Sequence, residues 1–227
     1  DIDEASAQIV SDEIRAADGQ SLPVRVDVTS KADTERMVRE AVAQFGQVNV
    51  LVNNAGIGAI APLMETDEKT WDALMNVNAK GVLFCTPAAA RQMIDQGRGG
   101  RIINNASGAG KIAPGKGTPL GAYAASKHAV VALTRQFGFE LAEHQILVNC
   151  LCAGIVDTAM WDLIDREIAQ REGVPIGSVK ARAVAGIPLG RIQQAEDVAN
   201  MVAFLASSDA SYTTAQTFDV SGGLLPY

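Results

Sequence analysis

Two side chains four residues apart suggest the chemistry. In Tyr123-Ala-Ala-Ser-Lys127 the phenol and the ammonium share one face of a helix, so the charge lies close to the phenol. A free phenol, with a pKa of about 10, is a poor base at neutral pH. Lowering that value by about three units requires roughly 4 kcal/mol of differential stabilisation, which Lys127 and a further cationic group can supply together. The same spacing also occurs as a plain surface pair, so the context decides. Ser107 ends Ile102-Ile103-Asn104-Asn105-Ala106-Ser107-Gly108, where its hydroxyl would emerge beyond a strand and hydrogen-bond a substrate oxygen. A loop serine is otherwise a turn former. Asn78 sits between Asn76 and Gly81 inside an apolar helical stretch, an unusual place for an amide that most often faces solvent or its own backbone.

The elements that must position these residues alternate between helix and strand. Residues 3–18 read as helix and Leu22–Val28 as a short strand. Ser30, with Asp33 three residues on, caps a helix that Gly46 closes. Val48–Val52 reads as a buried strand leading into Asn53-Asn54-Ala55-Gly56, and Thr66 as the cap of one long helix to about Met93. The strand Arg101–Asn104, a helix over 121–143 and the strand Ile146–Leu151 follow. Two helices over about 157–190 leave the sheet as an excursion. A helix through Val198 and Leu205 and a strand Thr217–Val220 complete the pattern. The alternation predicts an α/β fold, a doubly wound parallel sheet in three layers, as a single domain over 1–227. Ligands of such sheets bind beyond the carboxyl ends of the strands, here after Val52, Asn104 and Leu151.

Composition narrows the function classes. The formal net charge of −7 argues against a nucleic-acid surface, and no apolar run approaches the length of a membrane span. The first residues show neither a basic nor an apolar leader pattern. Cys85, Cys150 and Cys152 do not make a disulfide framework. With two histidines and no second cysteine pair, buried thiols in a reducing cytoplasm are expected rather than a metal site.

Asn53-Asn54-Ala55-Gly56, Asn78 before Ala-Lys-Gly81, Ser107, Tyr123-x-x-x-Lys127 and Ala153-Gly154-x-Val156-x-Thr158 occur in the order of the short-chain dehydrogenase/reductase family, which the chain resembles over essentially its whole length. The resemblance implies a Rossmann-type fold and hydride transfer between a nicotinamide nucleotide and an alcohol or ketone. It makes Tyr123 the general acid/base, Ser107 the group that orients the reacting oxygen, and Lys127 the residue that lowers the tyrosine pKa and binds the nicotinamide ribose. Asn78 would hold a proton-relaying water. Asp27 and Val28 match positions against adenine, Asn54, Ala55 and Gly56 the loop under the cofactor ribose, and Val156 and Thr158 the positions holding the carboxamide. The family's first strand and its Gly-rich phosphate turn find no match here, so roughly 30 further residues are expected ahead of Asp1. The alternative is a short, catalytically inactive product. Ala153 stands where the family usually has proline.

Asp1 falls where the family places an acidic residue on the adenosine ribose, which implies NAD over NADP. The segment from Ala153 to Trp161, with Asp165 following, resembles acetoin reductases, butanediol dehydrogenases and short-chain sorbitol-type dehydrogenases. The expected substrate is therefore a small diol or polyol, contacted by Ser107, Gly108, Tyr123, Met160 and Trp161. Trp161 reads equally as part of a lid and as an anchor of the excursion. The loop holding Lys111, Pro114, Lys116 and Pro119 is longer than is common in the family and reshapes the pocket mouth. A 3-oxoacyl thioester or a steroid ketone is the alternative substrate, and a non-catalytic nucleotide-binding scaffold the alternative class. A homodimer or homotetramer is implied by the family alone.

Overall fold

The computed structural model describes residues 1–115 and 117–225, so Lys116 lies outside the described residues. In chain order it holds α1 (Glu4–Ala16), α2 (Lys31–Phe45), β1 (Val50–Asn53), α3 (Glu68–Leu74), α4 (Gly81–Gln96), β2 (Gly100–Asn105) and α5 (Gly121–Glu140). β3 (Ile146–Ala153), α6 (Ala159–Glu172), α7 (Ser178–Ala185), α8 (Ala195–Ala206) and β4 (Thr217–Val220) follow. The four strands form one sheet in the order β1-β2-β3-β4, every pairing parallel.

Alternation along the strands gives each face its own core. Ile102, Val148, Cys150 and Cys152 pack against α4 and α5, with Val82, Val130 and Val131 among their partners. Ile103 and Leu151 face the other way onto Leu205 of α8. The sheet is thus covered on both faces, as the helix–strand alternation predicts. None of the helices among the described residues is long and apolar enough to cross a membrane.

Several boundaries differ from the sequence reading. Leu22–Val28 forms no strand. Its contact with Asp1, where the Val26 amide donates to the Asp1 carbonyl at 2.8 Å, is too short to be a ladder, and no other described strand lies alongside. Val50 and Val52 are both 40% exposed, so β1 is only partly buried and lies at the edge of the sheet among the described strands. Asp67, not Thr66, caps α3, its carboxylate accepting from the Thr70 amide at 2.7 Å. The Thr66 hydroxyl instead donates back to the Pro62 carbonyl. Ser30 does cap α2 and Gly46 does close it at φ 82°, but the Asp33 carboxylate accepts from the Asp27 amide rather than from the cap itself.

The long helix to Met93 is also broken. Met75–Lys80 winds as a π-helix, and the Gly81 amide bonds to the Asn76 carbonyl five residues back. Glycine suits position 81 because a Cβ there would come within 2.9 Å of Val28 Cγ2. Such insertions collect at functional sites.

A buried polar chain ties the layers together. Asn53 Nδ2 donates to Asn104 Oδ1 at 2.7 Å and to Thr86 Oγ1 at 3.2 Å, while Asn104 Nδ2 donates to Thr134 Oγ1 at 2.8 Å. These bonds join α4, β1, β2 and α5 where an unpaired amide would cost about 1–3 kcal/mol. Thr134→Val keeps the shape and removes the acceptor. It should lower unfolding stability by about 1–3 kcal/mol, read as a lower urea midpoint at unchanged slope. An unchanged midpoint would show that the chain of amides contributes nothing.

Candidate active site

Lys127 lies on α5 and is 5% exposed, its Nζ donating to the Asn105 carbonyl at 2.8 Å. That carbonyl ends β2, so the helix is held across the strand ends. Ser107 follows immediately, capping a short turn over Gly108–Gly110 with its hydroxyl on the Ala109 amide. The turn can lie against α5 only because residue 110 is glycine: a Cβ there would fall 2.8 Å from the Lys127 carbonyl. Ser107 is thereby delivered to Tyr123, with which its side chain hydrogen-bonds. Lys127 Nζ stands 5.8 Å from the centre of the Tyr123 ring.

Asn78, 1% exposed, sits in the π-helix beneath. Its Oδ1 accepts from the Ile57 amide at 2.8 Å, and its Nδ2 donates to the Ile57 carbonyl and to Ser126 Oγ, each at 2.9 Å. Both amide hydrogens are therefore committed to the 54–57 loop and to α5. Ser126 in turn donates to the Tyr123 carbonyl at 2.7 Å.

Asn105, Ser107, Tyr123 and Lys127 open onto a cleft of about 1060 Å³. Of the positions singled out in the sequence, Asn54, Gly56, Ser107, Gly108, Tyr123, Lys127, Val156, Thr158, Met160 and Trp161 line it. Asn78, Asp1, Asp27, Val28 and Ala55 do not: Asn78 is buried against Ile57 and Ser126, Asp27 holds the Thr29 amide and hydroxyl, Asp1 is exposed, and Val28 packs at Gly81. Cys150 and Cys152 are buried free thiols, and no group of three or more potential metal-ligating side chains is gathered among the described residues.

Three contributors were passed over in the sequence. Asn105 supplies the carbonyl for Lys127, and its own amide donates to Asn54 Oδ1 at 2.7 Å. Ser126 lies inside the Tyr123–Lys127 spacing, three residues from Tyr123 on the helix, and that interval was its signal. Gln193 accepts from the Gly154 amide at 3.0 Å and bridges to Val156, which fixes the loop after β3. Nothing local to Gln193 in the sequence marks this.

Burial pushes the Tyr123 phenol above its ordinary value; the Ser107 hydrogen bond opposes the shift and the neighbouring Cys152 adds to it. The lowering by Lys127 that the resemblance implies is not the net result in the protein alone. Burial also pulls the Lys127 ammonium down to about 8.

The site fits a nicotinamide nucleotide on two observations. Asn105, whose backbone carbonyl holds the Lys127 amine, lines the cleft, and its Oδ1 is buried without a hydrogen-bond partner among the described residues. Gly56 brings bare backbone against that amine, where a Cβ would sit 3.3 Å from Lys127 Nζ and 3.4 Å from Asn78 Oδ1. A ribose hydroxyl needs this kind of close approach to backbone, amine and amide oxygen.

Residues 1–225 match the family described as enoyl-(acyl carrier protein) reductase. The chain is 40% identical to a sorbitol dehydrogenase of Cereibacter sphaeroides over 98% of its length and 85% of that protein's. It is 40% identical to a diacetyl reductase, (S)-acetoin forming, of Staphylococcus epidermidis over 99% of its length and 87% of that protein's. The crystal structure of a sorbitol-6-phosphate 2-dehydrogenase from Erwinia amylovora superposes with a TM-score of 0.94 at 30% identity, covering 100% of this chain and 89% of that one.

The depressed Lys127 value has a consequence for stability. An unfolded lysine keeps its proton to about 10.4, whereas the folded one loses it near 8, so between these values the unfolded chain binds more protons. Lys127 therefore weakens the fold below pH 8, and the penalty fades as pH rises towards 10. Lys127→Met should be more stable than the parent at pH 7 by up to about 3 kcal/mol, with the difference shrinking across that window. Urea melts of both proteins from pH 7 to 10 check this; a difference independent of pH would refute it.

Proposed function

This chain belongs to the short-chain dehydrogenase/reductase family, and on that premise we propose that it moves a hydride between NAD and a secondary alcohol or ketone of a small diol or polyol. The observation that carries the reading is the convergence of Ser107, Tyr123 and Lys127 on one cleft at the carboxyl ends of β2 and β3. A bound nicotinamide supplies or accepts the hydride; the protein supplies the proton and the geometry.

In ketone reduction the Tyr123 phenol, kept protonated by burial, gives its proton to the developing alkoxide. In alcohol oxidation it takes that proton back. Ser107 donates to the same oxygen and holds it within reach of the phenol. Lys127 favours the phenolate through its charge and would hold ribose hydroxyls beside Asn105. Asn78 acts through the 54–57 loop as a positioning residue. Val156 and Thr158 would hold the carboxamide.

NAD rather than NADP is supported by Asp1, whose backbone bonds to Val26 and so sets a carboxylate beside the segment ending in Asp27 and Val28. A carboxylate there accepts from a ribose hydroxyl and repels a phosphate. The reading includes a cytoplasmic location, in keeping with three free thiols. It also includes a homodimer or homotetramer packed through α4 and α5, supported by Leu83 and Phe139 exposed on those helices.

Tyr123→Phe should lower turnover by about 10³-fold or more while nucleotide affinity stays within a few-fold, since only proton transfer is removed. Fluorescence titration with NADH and steady-state assays check both halves; a variant retaining full turnover would remove Tyr123 from the chemistry. With the phenol pushed up, alcohol oxidation should climb close to tenfold per pH unit through neutrality, whereas ketone reduction stays flat. Parallel pH profiles would contradict the assignment.

A further inference from the structure

The two named relatives act on quite different molecules, a six-carbon polyol and a four-carbon diketone, and the walls of this cleft discriminate between such substrates. Outward from Ser107 and Tyr123 the walls are Ile112, Pro114 and Leu120 on the loop before α5, Met160 and Trp161 on α6, and Leu225 after β4. Leu225 lies directly over Gly108, where its Cδ1 would collide with any Cβ. Met160 covers Gly58, and with Trp161 it belongs to the apolar cluster that contains Tyr123.

Polar groups at this end are few, the Thr118 hydroxyl on the loop before α5 among them. Lys127 is the one charged side chain among the described residues lining the cleft. Asn54 and Asn105 bond to each other at the strand ends, and Thr158 Oγ1 donates to the Val156 carbonyl. Three of the five carboxylates of the excursion, Asp157, Asp162 and Asp165, are engaged elsewhere. Asp157 and Asp162 both hold the Lys180 ammonium, at 2.6 and 2.9 Å. Asp165 is buried against the amides of Gly177 and Lys180, at 2.5 and 2.7 Å. None of these carboxylates lines the cleft, and among the described residues that wall its outer part no cation stands to pair with a phosphate.

Resting on the reaction proposed above and narrowing its substrate to the small diol side, we infer that the outer cleft is an apolar subsite that selects a short ketone or vicinal diketone with alkyl flanks, and rejects polyhydroxylated and phosphorylated substrates. A buried hydroxyl without a partner is penalised, and a methylene placed there is rewarded. The discrimination is therefore set by Ile112, Leu120, Met160, Trp161 and Leu225, not by the reacting residues.

The test is reduction of vicinal diketones of four, five and six carbons by NADH, compared with a ketohexose and its phosphate. We expect kcat/KM to rise roughly fourfold per added methylene until the subsite fills. The ketohexose should be lower by about 100-fold or more and its phosphate lower still. Met160→Gln and Leu225→Gln should each flatten the diketone series and narrow the gap to the ketohexose, while leaving NADH affinity unchanged.

Binding is read separately from turnover by Trp161 fluorescence in a Trp71→Phe background. Diketones that quench in order of chain length without being reduced would sustain the apolar subsite and overturn the reaction. A ketohexose reduced as well as the diketones would overturn the subsite and leave the reaction standing. Neither quenching nor turnover with any diketone would overturn the inference.

Discussion

An amine sealed from water must find acceptors, and the single bond from Lys127 Nζ to the Asn105 carbonyl organises this molecule. It brings α5 across the end of β2, which sets Tyr123, one turn earlier on the same helix face, over the cleft. It also demands glycine at the two places where other backbone must approach, Gly110 under the helix and Gly56 against the amine. The 54–57 loop and the Ser107 turn are thus both fitted to one side chain. The Asn78 amide and the Ser126 hydroxyl complete the support by linking the π-helix, the loop and α5.

That arrangement has a thermodynamic cost, which is why it reads as functional rather than structural. Burial depresses Lys127, so near neutrality its ammonium is held in the protonation state that the fold tolerates least well, while the raised Tyr123 phenol stays neutral. A chain selected only for stability would place an aliphatic residue at 127. The polar inner end, with Asn54, Asn105 and Lys127, and the apolar outer end, with Met160, Trp161 and Leu225, divide the cleft into a part that handles charge and a part that recognises alkyl surface.

Much of this was legible in the sequence because it rests on local spacing. Tyr123 and Lys127 share a helix face whatever surrounds them; Gly46 ends a helix because it takes a left-handed conformation; the apolar runs of β2 and β3 announce a covered parallel sheet. What was not legible depends on distant partners. Leu22–Val28 has strand composition, but a ladder needs a neighbour. Thr66 and Asp67 are both good caps, and only the Thr66 bond to Pro62 decides between them. The π-turn at Met75–Lys80 is set where Asn78 is drawn onto Ile57 and Ser126, residues far away in the chain. Asn105 read as a residue just past the strand Arg101–Asn104, because its role is played by its backbone carbonyl, which no side-chain pattern reveals.

The central claim is that hydride passes directly between a carbinol carbon and a nicotinamide while Tyr123 handles the proton. The most direct measurement uses a vicinal diol deuterated at its carbinol carbons, unlabelled NAD in ordinary water, and mass analysis of the reduced nucleotide. The account predicts one deuterium on the nicotinamide ring at every turnover, with a slower rate than for the unlabelled diol. Reduced nucleotide without deuterium, or label lost to water, would contradict it.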